Sequence, residues 1–343
     1  MSKKIVIIII IFVIVLIGVT LMFFMRNNKN YDNELIPEVN SNEVAQNTTS
    51  SLEQVNENTT VQEVVENPAF NGFGKYIFPL NRYSSYSNMK ISNINSLLPY
   101  HSHINTNSTI EVINYMINEV NNGEQIFYNI YFDEEKAQDS SKQDTGLFFF
   151  RGNENAPFAI ICAGGGFSYV GSIHEAYPHA LELNKQGYNA FVIQYRTDSQ
   201  EATEDLARAI SYIFQNAEQL KISTSNYSLW GSSAGARMVA YIGTYGVEEL
   251  GGANVPKPAT IIMAYTGHTD YSESDPPTFI VVGEDDGIAN PNTMERRANN
   301  LRNVGVDVEF HKYPNLEHGF GLGIGTSAEG WINDAIAFWN KYI

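Results

Sequence analysis

The fold is decided by the segment Gly231-Ser232-Ser233-Ala234-Gly235, which directly follows an apolar run at residues 227–230. The run predicts a strand, and the small residues predict a sharp turn into a helix with a serine at its apex. This G-x-S-x-G pattern is the nucleophile elbow, in which the central serine points its Oγ outward. Side chains at the two glycines would clash with the neighbouring strand and helix. Ser233 is therefore the candidate nucleophile, and Ser232 is not.

An acid and a histidine follow the serine in the order that a catalytic triad requires. Residues 278–282 predict a buried strand that leads to Asp285 and Asp286, and residues 306–313 predict a strand that leads to His318. Open parallel sheets bind their ligands outside the carboxyl ends of the strands. We therefore expect His318 and one of the two aspartates to lie beside the serine.

A glycine-rich loop precedes these features in the chain. Residues 157–162 predict a strand that runs into the glycines Gly164, Gly165 and Gly166. Glycines expose backbone N–H groups that side chains would otherwise shield, and such groups can bind an oxyanion. The expected donors are the N–H of Ala234 and that of Gly164 or Gly165.

Taken in order, these motifs resemble the α/β-hydrolase superfamily, and most of all its esterase branch of feruloyl and acetyl-xylan esterase-like (BD-FAE-like) domains. The resemblance covers roughly residues 70–343 and ends in His318-Gly319-Phe320. It departs from lipase-type relatives because no histidine precedes the glycines. It implies Asp286 as the acid, since Ala289 stands three residues further on, with Asp285 as the alternative.

The resemblance also implies a carboxylic-ester hydrolase for small acyl esters, such as acetyl or feruloyl groups on carbohydrate, that needs no metal or organic cofactor. His318 would take the proton of Ser233, and Asp286 would hold the imidazole tautomer. Two alternatives stay open. One is a serine peptidase or lipase on the same fold, and the other is a non-catalytic surface binding protein on a dead hydrolase fold.

The remaining pattern predicts an α/β fold with a mostly parallel sheet of about eight strands and helices on both faces. An antiparallel pair is expected at residues 124–132 and 146–151. Helices are expected near residues 202–213 and 328–341. An amphipathic helix at residues 109–117 either covers the active-site mouth or braces the sheet.

The N-terminus carries the uncharged apolar run 5–24. About 20 residues in a helix span roughly 30 Å of hydrocarbon, which predicts a single-pass signal anchor within residues 1–26. Residues 27–68 are polar and predict a disordered tether, and residues 69–343 are the expected catalytic domain. The catalytic domain is expected outside the cytoplasm. The alternative is a cleaved signal peptide and a secreted enzyme.

Composition excludes several other functions. The net charge of −17 argues against nucleic acid as a partner, because phosphate binding needs basic surfaces. The expected partners are instead an ester substrate and, through the N-terminal helix, a membrane. Cys162 is the only cysteine, so a disulfide within the chain is excluded.

Several histidines and one rim segment have weaker interpretations. His101 and His103 lack nearby ligands and are expected on a surface loop, not at a metal. His174 and Glu175 follow the glycine loop and either line the pocket or begin a capped helix. Residues 265–268 end a strand on the same rim and are candidates for substrate contact.

Overall fold

The protein is built around an eight-stranded sheet in the order β1-β2-β4-β3-β5-β6-β7-β8. The computed structural model describes residues 53–80 and 86–343. The strands are β1 Phe127–Tyr128, β2 Gly146–Phe150, β3 Pro157–Cys162, β4 Asn189–Gln194, β5 Ser223–Ser232, β6 Thr260–Ala264, β7 Thr278–Gly283 and β8 Val308–Tyr313.

The helices lie mainly between the strands. They are α1 Val61–Val65, α2 Thr106–Asn121, α3 Asp133–Gln138, α4 Ser172–Glu175, α5 Tyr177–Lys185, α6 Ser199–Gln215, α7 Ala217–Leu220, α8 Ala234–Tyr245, α9 Pro291–Asn303 and α10 Trp331–Asn340. Short 3₁₀ turns occur at Pro68–Phe70, Gly74–Tyr76, Ile91–Leu97, Ser140–Asp144 and Glu248–Leu250.

The six strands β4-β3-β5-β6-β7-β8 are parallel to their neighbours, whereas β1 and β2 pair antiparallel, as predicted. Every residue of β4, β6 and β7 is buried. Because successive side chains of a strand point to opposite faces, both faces of the sheet are covered at these strands. This explains why β4, β6 and β7 are mostly apolar along their whole length in the sequence. The predicted α/β architecture is confirmed.

The domain begins earlier than the predicted boundary at residue 69. Residues 53–68, predicted as part of the disordered tether, include α1, which Thr60 and Glu63 close with a capping box. Val61 and Val64 are fully buried. The backbone N–H and C=O of Val55 both hydrogen-bond to the Asn114 side chain of α2, at 2.7 and 2.9 Å. The scattered valines are buried because α2 and the neighbouring turns cover them, and the mostly polar composition of the stretch does not reveal this.

The amphipathic helix predicted at residues 109–117 is the central part of α2. Its buried residues include Val112, Ile113 and Met116. Tyr115 of this helix stacks on Phe150 of β2, with ring centroids 5.4 Å apart. The helix therefore braces the β2 side of the sheet, which was one of the two expected roles.

The predicted signal anchor at residues 1–26, and most of the predicted tether, lie outside the described residues. Within residues 53–80 and 86–343, no helix combines the length and the apolar character that a membrane crossing requires.

Candidate active site

The nucleophile elbow connects β5 to α8, and Ser233 is its apex. Ser233 has φ 51° and ψ −114°, a backbone conformation that non-glycine residues rarely adopt. A Cβ on Gly231 would lie 2.4 Å from the Gly235 carbonyl oxygen, and one on Gly235 would lie 2.0 Å from the Cys162 carbonyl oxygen. Neither position has room for a side chain, which is the steric reason inferred from the sequence.

The structure brings the three residues of the predicted triad together at the carboxyl ends of β5, β7 and β8. His318 Nε2 lies 2.9 Å from Ser233 Oγ, and His318 Nδ1 lies 2.7 Å from Asp286 Oδ2. Asp286 Oδ1 accepts the backbone N–H groups of Ile288 and Ala289 at 2.8 and 2.7 Å. These two bonds fix the carboxylate, which in turn orients the imidazole ring with its Nδ1–H toward the acid.

The alternatives for each role lie elsewhere. Asp285 is exposed, and its backbone N–H donates to the Leu316 carbonyl. Ser232 is buried as the last residue of β5. His311 lies within β8, where its Nε2 is 2.9 Å from Glu309 Oε1. None of the three alternatives takes part in the contacts that join Ser233, His318 and Asp286.

The glycine loop after β3 narrows the choice of oxyanion donors. The Gly164 N–H donates to Glu175 Oε2 at 2.6 Å and is therefore not available to a substrate. In the described part of the chain, the N–H groups of Gly165 and Ala234 have no hydrogen-bond acceptor. Of the expected donors, Gly165 and Ala234 are the available pair. The expectation that Gly164 could serve as a donor is wrong, because Glu175 already binds its N–H.

The expectation of a surface loop is wrong for His101 and correct for His103, which is exposed. The His101 side chain is only 1% exposed, with Nε2 3.1 Å from Glu175 Oε2. Its Nδ1 lies 2.8 Å from the Tyr169 hydroxyl. The histidine is covered because residues 100–102 pack against the glycine loop, a contact between residues far apart in the sequence.

His174 and Glu175 are the last two residues of α4 and are buried behind the catalytic loops, and His174 also borders a small cleft that His103 and Leu322 line. His174 Nε2 donates to the Gly319 carbonyl, at 3.0 Å. Burial, with a smaller contribution from the charge of His101, lowers the pKa of His174 to about 4, so the ring is neutral near pH 7. A neutral His174 thus helps to hold the loop that carries His318.

The rim segment at residues 265–268 packs against the loop that carries His318. Tyr265 is fully buried with φ 37°, and its ring packs edge-on against His318 at 4.9 Å between ring centroids. Its hydroxyl accepts the Gly321 N–H at 3.2 Å. His268 is also buried, and burial, together with the charge of Arg297, lowers its pKa to about 4. Tyr265 therefore positions the histidine ring and does not reach a substrate.

Sequence reasoning missed two contacts: the bond from Gly164 to Glu175, and the donation of Ser102 Oγ to the His318 carbonyl at 2.8 Å. One signal was present, since Glu175 is a charged residue among small and apolar neighbours close after the glycine loop. A lone carboxylate in such surroundings usually has a buried partner. Nothing in the local sequence around Ser102 indicates its partner.

Comparison with known proteins agrees with this geometry. The sequence model of the BD-FAE family matches residues 150–259, which hold the glycine loop and the elbow. An acetylxylan esterase of Xylanibacter ruminicola is 24% identical over 212 residues, covering 52% of this chain and 44% of that protein. Endo-1,4-beta-xylanase B of Butyrivibrio fibrisolvens is 23% identical over 215 residues, covering 50% of this chain and 34% of that protein. The chain thus spans less than half the length of these curated relatives.

Among solved structures, the acetyl ester-xyloside bifunctional hydrolase of Caldicellulosiruptor lactoaceticus superposes with a TM-score of 0.51 at 22% identity. The superposition covers 57% of this chain and 88% of that one. At this identity the likeness shows the fold, and the predicted α/β-hydrolase fold is confirmed. The match of residues 150–259 to the BD-FAE family model agrees with the predicted esterase branch.

Proposed function

We propose that this chain, an α/β-hydrolase esterase whose residues 150–259 belong to the BD-FAE family, removes acetyl groups from acetylated xylan-type carbohydrate. The observation that carries the proposal is the contact chain from Ser233 through His318 to Asp286, at 2.9 and 2.7 Å. These hydrogen-bonded contacts activate a serine hydroxyl for attack on an acyl carbon.

The first half of the reaction forms an acyl-enzyme. Ser233 Oγ attacks the ester carbonyl carbon, and its proton passes to His318 Nε2. The carbonyl oxygen becomes an oxyanion, which the N–H groups of Gly165 and Ala234 bind. The carbon–oxygen bond to the sugar then breaks, and the sugar hydroxyl leaves with the proton from His318. Asp286 stabilises the imidazolium while it exists.

Water completes the cycle. A water molecule attacks the acyl carbon and gives one proton to His318, and the same oxyanion donors bind the second tetrahedral intermediate. The bond to Ser233 Oγ breaks, the serine takes the proton back, and acetate is released.

The substrate class rests on two supports. One curated relative is named an acetylxylan esterase, and the structural neighbour is named an acetyl ester-xyloside hydrolase. In addition, Ser233 is partly exposed at the edge of the sheet, so an acyl ester carried on a large carbohydrate can reach its hydroxyl from solvent.

The test is release of acetate from acetylated xylan and acetylated xylo-oligosaccharides, measured beside methyl ferulate and p-nitrophenyl esters of increasing chain length. We expect acetylated sugars and p-nitrophenyl acetate to be cleaved fastest. Faster cleavage of methyl ferulate would move the proposal to feruloyl esters, and a preference for long chains would support a lipase. Activity toward peptides alone would contradict it.

The proposal includes a location outside the cytoplasm, held by one helix within residues 1–26. Its support is the uncharged apolar run 5–24, followed by a polar stretch that keeps the domain away from the bilayer. Protease added to intact cells should cut this stretch before residue 53 and release an active domain. Protection until lysis would contradict the orientation, and a mature chain that begins after residue 25 would mean a secreted enzyme.

A further inference from the structure

Residues 100–102, here called the His101 segment, contact both loops that the reaction needs. On the histidine side, the Ser102 N–H donates to the Gly319 carbonyl at 3.0 Å. Ser102 Oγ donates to the carbonyl of His318 at 2.8 Å. The segment therefore holds the backbone on which the candidate general base is mounted.

On the oxyanion side, the same segment acts through a buried carboxylate. His101 Nε2 lies 3.1 Å from Glu175 Oε2, and the two side chains are 1% and 0% exposed. The same carboxylate oxygen accepts the Gly164 N–H at 2.6 Å. His101 is itself held by the Tyr169 hydroxyl, 2.8 Å from Nδ1. A continuous path of polar contacts thus joins the His101 segment to the glycine loop that carries the Gly165 N–H.

The carboxylate is ionised. Burial raises the pKa of Glu175, but the charge of His101 and the hydrogen bonds from His101 and the Gly164 N–H outweigh burial and hold the pKa at about 2. A buried carboxylate is stable only when it is paired and hydrogen-bonded, and loss of one partner destabilises whatever it supports.

The loop has no slack between this carboxylate and the nucleophile. A Cβ on Gly164 would lie 2.7 Å from Ser233 Cβ on one side and 2.8 Å from Glu175 Oε2 on the other. Gly164 lies between two peptide units, and a hydrogen bond holds each of them. The unit before it donates the Gly164 N–H to Glu175, and the unit after it, which carries the Gly165 N–H, accepts the Gly171 N–H at the Gly164 carbonyl, 2.9 Å away. Because each unit is planar and rigid, the two bonds together restrict the direction of the Gly165 N–H, and loss of the Glu175 bond removes one of the two restraints.

We propose that Glu175 and His101 are positioning residues of the oxyanion hole: together they fix the Gly164 amide and thereby aim the Gly165 N–H at the developing oxyanion. Neither residue touches the substrate. This inference rests on the proposed esterase function. It assigns a part in catalysis to a residue outside the stretch matched by the family, since His101 precedes residue 150.

The experiment compares Glu175→Ala, Glu175→Gln and His101→Ala in the full chain. Glu175→Gln keeps the volume and one oxygen acceptor for the Gly164 N–H but loses the charge that pairs with His101. The readouts are kcat and KM for p-nitrophenyl acetate, and the inhibition constant of a trifluoromethyl ketone. Such ketones form a tetrahedral adduct with the serine and so report on the oxyanion hole directly.

The matched control is Asp275→Asn. Asp275 forms a buried ion pair with Arg297 at 2.9 Å, each side chain 2% exposed, and the other bonds of Arg297 go to the Asp270 carbonyl and Met263 Sδ. Its loss has the same general cost of breaking a buried pair. Thermal unfolding midpoints of all four variants then separate lost stability from lost catalysis.

We expect Glu175→Ala to lower kcat by roughly 10²–10³-fold, the usual loss for one oxyanion donor, with KM changed less than about threefold. Trifluoromethyl ketone affinity should fall in parallel, while Glu175→Gln and His101→Ala should lose less. Asp275→Asn should lower only the unfolding midpoint. If Glu175→Ala does not fold, the volume-conserving Glu175→Gln and His101→Ala carry the test.

Three outcomes would overturn the inference. One is a kcat loss in folded Glu175 and His101 variants no larger than in Asp275→Asn. Another is a rise in KM at constant kcat, and the third is unchanged ketone affinity despite lower kcat. A wild-type chain that cleaves esters while these variants match it removes the positioning role but leaves the proposed function intact. A wild-type chain without esterase activity overturns both.

Discussion

The loops after β3, β5, β7 and β8 and the segment of residues 53–126 serve the same site by different physical means. The loops present the catalytic side chains and the oxyanion donors from a backbone whose unusual dihedral angles and crowded glycines leave few alternatives: Ser233 at φ 51° and Gly165 at φ 134° are examples. The segment before the sheet acts through side chains, such as Ser102 and His101, that reach partners hundreds or tens of residues away.

The difference teaches where chemical information is visible. A sharp turn needs glycine and small residues at fixed spacing, so a loop with such a turn is visible as a motif. A side chain that hydrogen-bonds to a distant carbonyl needs only one polar atom in the right place, and many local sequences satisfy that condition. The first three predictions below each compare one member of these two regions with a matched control, and the fourth tests a buried histidine of α5.

The largest effect is expected at the elbow. Ser233→Ala removes the nucleophile and should lower kcat for p-nitrophenyl acetate by roughly 10⁴–10⁶-fold, as in other serine hydrolases. Ser232→Ala, one residue earlier in the same strand-to-helix turn, should cost far less, because Ser232 is buried away from His318. Similar losses in both folded variants would show that the elbow motif does not identify the reacting serine.

The next effect is expected at the loop after β7. Asp286→Asn should lower kcat by about 10⁴-fold, because an amide cannot stabilise the imidazolium and favours the wrong tautomer of His318. The control is Asp285→Asn, at an exposed position next to it, which should stay close to the wild-type rate. A larger loss in the Asp285 variant would reverse the assignment of the acid.

A smaller effect tests whether residues 53–126 are part of the domain core. Leu97, in the 3₁₀ turn before α2, is fully buried, and so is Leu206 of α6, which serves as the control. Each leucine-to-alanine change should lower the free energy of unfolding by about 2–5 kcal/mol. Both variants should unfold in one transition, followed by circular dichroism in urea. A separate early transition in the Leu97 variant would mean that the segment folds independently of the sheet.

The smallest effect concerns acid stability. Burial lowers the pKa of His174 and of His179 to about 4, below the value of about 6.5 in the unfolded chain. Between these values the unfolded state binds more protons, so the free energy of unfolding falls as the pH falls from about 6.5 to 4. Each histidine contributes at most about 1.4 kcal/mol per pH unit.

His179→Gln should therefore make this decline shallower by up to one proton, with unfolding free energies measured in urea at several pH values. The exposed His103→Gln is the control and should leave the slope unchanged. An equal slope in the wild type and the His179 variant would show that the buried ring does not remain neutral in the folded state.

Much of the fold was accessible from the sequence because its signals are local. The runs predicted at residues 157–162 and 278–282 are β3 and β7, to within one residue at each end. These strands are buried on both faces, and such burial makes an apolar run unavoidable. The predicted strand ends put Ser233, His318 and one of two aspartates at the same edge of the sheet, and the family resemblance favoured Asp286 over Asp285. The structure brings Ser233, Asp286 and His318 together at that edge.

The rest depended on contacts that sequence patterns do not encode. The fold of residues 53–68 depended on distant partners: Val55 hydrogen-bonds to α2, and α1, with its buried valines, packs against the turn Gly74–Tyr76. The choice of Gly165 over Gly164 as oxyanion donor depended on Glu175, which occupies the Gly164 amide. Both outcomes depend on which distant group contacts a given backbone amide or apolar patch in the folded chain.

The central claim is that Ser233 is the nucleophile of an ester hydrolase, and covalent labelling tests it most directly. The full chain is incubated with a fluorophosphonate, digested and analysed by mass spectrometry, with heat-unfolded protein as the control. The account predicts a single adduct on Ser233 in the folded chain, none in the unfolded control, and loss of esterase activity in proportion to labelling. An unlabelled folded chain, or an adduct on Ser232 or another residue that accompanies the loss of activity, would contradict it.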